Sequence, residues 1–336
     1  MSAVVVEARG LLRDGDIDGC IAKLLAAQAQ GCAEASSDLQ TAYELAADAI
    51  DKGVLSWSAE SMVSVGERFE HGNGVPQNAV KAFEWYERAA ELGDGKAMAV
   101  VGLCYIKGVG VEKNAVKGVE LSMRGADLDN GEAMHNLGRC YYYGDGVEKS
   151  FEKAVEWWMR AADKGIAKAM YNVGLCFKTG DGVEKSGEQV VEWWTRAAEK
   201  GNADAMCYLG TCFINGDGVA KSAEKAVEWW TRAAETGHAG AMYNLGLCFK
   251  AGDGVAENGE KAVEWWTRAA ETGHAGAMYN LGSCFNMGYS VEESAEKAVE
   301  WWTRAADKGH TEAMSHLGHS FFTGYGVGKS VEKAIE

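Results

Sequence analysis

Ala239-Gly240-Ala241-Met242-Tyr243-Asn244-Leu245-Gly246-Leu247-Cys248-Phe249-Lys250-Ala251-Gly252-Asp253-Gly254-Val255, continued by Lys261-Ala262-Val263-Glu264-Trp265-Trp266-Thr267-Arg268-Ala269-Ala270-Glu271-Thr272-Gly273, reads as two helices joined by a glycine loop. The pattern recurs every 36 residues, and such a period outranks any local motif. Trp157-Trp158, Trp193-Trp194, Trp229-Trp230, Trp265-Trp266 and Trp301-Trp302 mark it, and Trp85-Tyr86 keeps the phase. An Ala-Met pair opens at Ala97, Ala133, Ala169, Ala205, Ala241, Ala277 and Ala313, and Gly102, Gly138, Gly174, Gly210, Gly246, Gly282 and Gly318 follow in step. Seven full units run from Ser61 to about His310, and a truncated eighth follows.

Each half of a unit is amphipathic at helical spacing. In the first helix, A, residues Ala277, Met278, Leu281, Cys284 and Phe285 share one face, and Tyr279, Asn280, Ser283 and Asn286 share the other. In the second, B, residues Ala262, Val263, Trp265, Trp266, Ala269 and Ala270 form a stripe about 160° wide, opposite Glu260, Glu264, Thr267, Arg268 and Glu271. So broad a stripe predicts that helix B packs on its own helix A and on the next, which is how helix pairs stack into a solenoid. Of the 43 glycines, those in Gly180-Asp181-Gly182-Val183 and its copies suit left-handed helix C-caps, with the valine tucking back. A phosphate-binding reading of this Gly-x-Gly fails, because it follows a helix and lacks a Gly-Lys-Ser/Thr ending.

Composition narrows the function. The formal net charge of −16 without a basic run disfavours nucleic acid and anionic membranes. No stretch is apolar enough to span a bilayer, and Met1–Glu7 lacks a basic region of the kind that opens a secretory signal. The expectation is a cytoplasmic chain with reduced cysteines and a single proline that leaves helices uninterrupted.

Those residues resemble the Sel1-like repeat family, kin of the tetratricopeptide repeats. The resemblance covers residues 61–336 and implies an all-α, right-handed superhelical solenoid of 36-residue helix pairs, used as a scaffold or adaptor. Departures occur at Leu121-Ser122, which replaces Trp-Trp, so that this B helix should pack less tightly. Asp129 replaces a glycine, and Gly288-Tyr289-Ser290-Val291 loses the second loop glycine. Residues 1–60 fall outside the period. Val4–Leu12, Asp16–Gln30 and Ala33–Lys52 read as three helices of an N-terminal cap, broken at Asp14-Gly15 and at Gly31.

The series Cys104, Cys140, Cys176, Cys212, Cys248 and Cys284 sits one per repeat, too widely spaced for disulfides or a shared zinc, and reads as small core residues. Some relatives in the resembled family instead carry two cysteines per repeat. His238, His274 and His310 are likewise a repeat apart, and His316 and His319 lack a third ligand, so no metal and no cofactor is expected. No Ser–His–Asp or Cys–His constellation is flagged, so the chain reads as a non-enzyme.

What remains is the uncharged arc of helix A. One row contains His135, Tyr171, Tyr243 and Tyr279, a second Asn136, Asn172, Asn244 and Asn280, and a third Arg139, Leu175 and Leu247. In the families resembled, helix A lines the concave side, so these residues would hold a protein or peptide segment there. The competing reading is that they pack between adjacent A helices, and both can hold. The alternatives at the level of the whole chain are a hydrolase of the cysteine-rich Sel1-like type and a constitutive subunit of a larger complex. A monomer is expected unless the truncated C-terminal end pairs.

Overall fold

The computed structural model describes residues 3–13, 16–53 and 55–335. Every regular element among them is a helix, in tandem pairs of the solenoid class that the period predicts. The Asp14-Gly15 break lies outside the described residues. The chain divides into two compact units, Met1–Ile166 and Ala167–Glu336.

Local chemistry sets the helix ends. Helices B open on an asparagine or serine cap; Ser222 and Asn258 accept the backbone N–H of Lys225 and Lys261. Helices A close on a left-handed glycine. Gly252 donates its N–H to the Cys248 carbonyl, and Gly216 does the same to Cys212. Asp129 takes the left-handed conformation that glycine holds elsewhere, with φ 64°, and its carboxylate pairs with Lys164.

The second loop glycine touches the preceding B helix. A Cβ on Gly254 would lie 2.4 Å from the Ala223 carbonyl carbon, and one on Gly218 2.0 Å from the Gly187 oxygen. Ser290 occupies this position at φ 55°, and its contact residue is Gly259, where Ala223 and Ala295 stand elsewhere and Gly187 faces Gly218. A Cβ on Gly259 would sit 2.0 Å from Ser290 Oγ. One substitution makes room for the other.

The two tryptophans of each pair have different environments. The second is core: Trp194 and Trp266 are each 1% exposed. A Cβ on Gly246 would approach Trp266 Nε1 to 2.3 Å, and Gly138, Gly174, Gly210 and Gly282 meet Trp158, Trp194, Trp230 and Trp302 in the same way. At Trp158, Trp194, Trp230 and Trp266 the indole N–H donates to a carbonyl three residues before that glycine, Trp266 to Tyr243 at 3.2 Å and Trp230 to Cys207 at 2.9 Å. The first tryptophan is only half-buried at Trp157, Trp229, Trp265 and Trp301, roofed by an arginine guanidinium, as Arg268 is 4.3 Å from the Trp265 ring centre. The helical wheel placed both inward alike; the structure separates them.

Leu121-Ser122 also departs from expectation. Without an indole to accommodate, helices Gly95–Lys107 and Ala115–Asp127 close up rather than loosen. A Cβ on Gly118 would lie 2.6 Å from the Gly102 oxygen, and buried Ser122 satisfies itself on the Gly118 carbonyl at 2.8 Å.

At the N-terminus, helices Ala3–Arg13, Ile17–Ala29 and Glu34–Asp51 pack on the first repeat. Leu24, Leu39 and Tyr43 join Phe69 and Trp85 in one core. Trp57 stacks on Trp85 at 5.5 Å, and Gln28 reaches the Gly74 carbonyl at 2.7 Å.

The indole–glycine contact has an expected signature. Gly246→Ala gains helix propensity of about 1 kcal/mol but should lower the urea midpoint, since the indole must shift. Trp266→Ala should cost about 3–5 kcal/mol, and Trp265→Ala clearly less. Equal losses at the two tryptophans would contradict this packing.

Candidate functional site

Two elements of each repeat place the uncharged arc of helix A. The indole of helix B fixes the buried face, and the loop glycines fix the next hairpin, so the rows at Tyr243, Asn244 and Leu247 emerge on the opposite flank. Within residues 167–336 these side chains are half-buried to exposed: Tyr171, Asn172, Leu175, Tyr243, Asn244, Tyr279 and Asn280 are half-buried, and Leu247 is 40% exposed.

The tyrosine rings are held. Tyr171 stacks on Trp194 at 6.1 Å and leans on Tyr208 at the same distance. Burial, then neighbouring Tyr208, pushes its phenol up to about 12. Tyr243 stacks on His274 at 4.6 Å, and Tyr279 on His310 at 4.7 Å. Such rings offer contact area at low entropic cost.

The first unit behaves differently. His135 and Asn136 are 7% and 5% exposed, not presented on an open arc. Asn136 donates to the Ala99 carbonyl at 3.0 Å, so at this position the packing alternative applies. The cause is the small neighbour: Ala99 lets helix Gly131–Tyr143 pack directly on helix Gly95–Lys107. Arg139 stays half-buried on the flank.

His238, His274 and His310 have a role that residue spacing alone did not reveal. Each caps the next A helix, Nδ1 accepting the N–H of Ala241, Ala277 or Ala313 at 3.1, 3.2 and 3.4 Å. Asp94, Asn130 and Asn202 fill the same column, which was the available signal. His238 also donates from Nε2 to Asp204 at 3.2 Å.

The cysteines are all unpaired, and five of the periodic six are buried. Burial pushes the thiols up, to about 12 at Cys140 and Cys176 and about 11 at Cys104, Cys212, Cys248 and Cys284. Thiols of that kind are poor nucleophiles at neutral pH.

The model of the Sel1 repeat matches eight consecutive segments, 59–94, 95–130, 131–166, 167–202, 203–238, 239–274, 275–310 and 311–336. The chain belongs to the Sel1 repeat family. The first segment begins two residues before the start read from the period, at the cap of helix Ala59–His71. Among solved structures, a Sel1 repeat protein from Oxalobacter formigenes is 28% identical with a TM-score of 0.62, over 73% of this chain and 96% of that one. A protective antigen of uropathogenic Escherichia coli, displaying an SLR fold, is 28% identical with a TM-score of 0.43, over 94% of this chain and 77% of that one. No curated protein matches. Sel1 repeats typically serve as protein-interaction scaffolds. No helix among the described residues is long and apolar enough to cross a membrane. Nor do those residues contain a group of three or more candidate metal ligands, so His316 and His319 gain no third donor.

Two outcomes follow for the Sel1 array. Burial, reinforced by charge on His238 and His310, lowers the His274 imidazole below its ordinary value. A capping Nδ1 must be unprotonated, so this stability is complete above about pH 6.5 and is lost as pH falls through the depressed value. The melting midpoint should therefore drop between pH 7 and pH 5, and His274→Asn should make that drop shallower, the cap being worth about 1 kcal/mol. Identical pH profiles for the two proteins would count against the capping role. Thiol labelling of the native chain at pH 7.5 should modify half-buried Cys32 first and leave buried Cys140, Cys176, Cys212, Cys248 and Cys284 unmodified until denaturant is added.

Proposed function

We propose that this Sel1 repeat protein is a non-enzymatic scaffold or adaptor that holds a segment of a partner protein along the groove lined by its A helices, chiefly within residues 167–336. The observation carrying this reading is the row Tyr171, Tyr243 and Tyr279, half-buried rings each stacked on a second aromatic side chain. Pre-organised aromatics reduce the ordering cost of binding, and the adjacent Asn172, Asn244 and Asn280 offer amides to a peptide backbone. Leu175 and Leu247 add apolar area beside them. Arg139, His135 and Asn136 belong to the less open arc of the first unit, where burial limits what a partner can reach. The raised thiols support holding over reacting.

A displayed library of random twelve-residue peptides, selected on the full chain, tests the reading. Enriched peptides should lose at least tenfold in affinity on Tyr243→Ala/Asn244→Ala and on Tyr279→Ala/Asn280→Ala, with melting midpoints nearly unchanged. Peptides indifferent to both double variants, or a selection that enriches none, would overturn it.

A further inference from the structure

The repeats supply their own reference, and residues 167–217 depart from it at three places that converge. Helices B carry a lysine at Lys225, Lys261 and Lys297, whose ammonium lies over an aromatic ring of the preceding A helix: Phe213 at 5.4 Å, and Phe249 and Phe285 at 5.2 Å. The corresponding residue here is Gln189, which turns away and donates to Glu192 at 2.9 Å. Among the described residues no helix-B ammonium covers Phe177. Beside it, Val190 replaces the alanine seen at Ala154, Ala226, Ala262 and Ala298. Across from both, Tyr208 replaces the asparagine of Asn172, Asn244 and Asn280; its ring stacks on Trp194 at 5.1 Å and is 39% exposed.

Together these changes frame a recess of about 230 Å³ where helices Ala167–Thr179, Gly187–Glu199 and Ala203–Asn215 meet. Its lining is mostly apolar, with Phe177, Val190 and Trp194 among the walls. Two ammonium groups stand at it, Lys178 and Lys185, against one carboxylate, Asp217. Lys178 sits 5.0 Å from the Tyr208 ring centre and 5.5 Å from that of Trp194. Neither lysine forms an ion pair among the described residues, in a chain with 49 acidic residues to 33 basic ones.

The size decides the class of ligand. Pockets for small molecules and cofactors run to about 300–1,000 Å³, and this recess is smaller, the scale of one large side chain. The geometry points to a specificity pocket in the scaffold's groove, which takes an aromatic side chain of the bound segment while an acidic side chain next to it meets Lys178 and Lys185. An apolar anchor in a desolvated pocket, with a charged neighbour at its rim, is the usual composition of a binding hot spot. This inference rests on the groove reading above, and Thr211 at the recess belongs to the same flank of helix A as Leu175 and Leu247.

The experiment uses the peptides selected on the full chain. They should share an aromatic residue adjacent to Asp or Glu, and a synthetic copy should lose at least tenfold in affinity when the aromatic becomes alanine or the acid its amide. Gln189→Lys and Tyr208→Asn restore the residues found in the other repeats, so they should melt like the parent; each should weaken that peptide at least tenfold, as should Lys178→Ala. Peptides without the aromatic–acidic pair, or with equal affinity for parent, Gln189→Lys and Tyr208→Asn, would overturn the pocket. If such peptides still lose affinity on Tyr243→Ala/Asn244→Ala, the groove reading stands and only the pocket falls; if they do not, both fall.

Discussion

An indole pressed against a bare patch of helix backbone sets the geometry of every full-length repeat that carries a tryptophan pair. A glycine in mid-helix costs about 1 kcal/mol relative to alanine. The contact repays it with a buried indole, which alone outweighs the cost, and at Trp158, Trp194, Trp230 and Trp266 with a hydrogen bond to a main-chain carbonyl as well. Because a Cβ at Gly246 would come within 2.3 Å of Trp266, the two positions cannot vary independently. Where the indole is missing, at Ser122, the facing pair becomes Gly102 and Gly118 and the backbones meet directly. The spacing between helices A and B is thus set by what stands opposite the glycine, and the orientation of helix A follows.

With the buried face fixed, the loops transmit the arrangement. The second glycine of each loop touches the start of the preceding B helix, so bulk is limited on both sides. The chain meets that limit with glycine against alanine at Gly254 and Ala223, glycine against glycine at Gly218 and Gly187, and serine against glycine at Ser290 and Gly259. The apparent lapse in the glycine pattern at 290 is a compensated exchange rather than a loose joint.

The helical class, the repeat and its phase were legible from residues, because periodic burial leaves a periodic pattern. The family followed from the same residues. Three things were not legible. A helical wheel places Trp265 and Trp266 only 100° apart, within one broad stripe, and cannot see that the glycine lies opposite one of them. It also treats Asn136 and Asn244 alike, whereas Ala99 beside the former lets two A helices close and bury it. The histidines were weighed as metal ligands, and their distance from one another hid their proximity to a helix start. A column shared with Asp94, Asn130 and Asn202 was the clue, and it needed the helix boundary to be read.

That column also explains why histidine stands where asparagine would cap as well. The His274 ring closes the first turn of helix Ala275–Met287 and at the same time lies under Tyr243 of the preceding A helix, and His310 does the same for Tyr279. An asparagine could supply the cap acceptor but not the platform. The residue that ends one loop therefore fixes the ring that the neighbouring repeat presents, and the aromatic row is built by the same contacts that join consecutive hairpins. In the first unit the caps are Asp94 and Asn130, the row holds Ala99 and buried His135, and no such platform arises. Capping chemistry thus sets the platforms under Tyr243 and Tyr279, whereas Tyr171, whose following A helix is capped by Asn202, takes its platform from Trp194 instead.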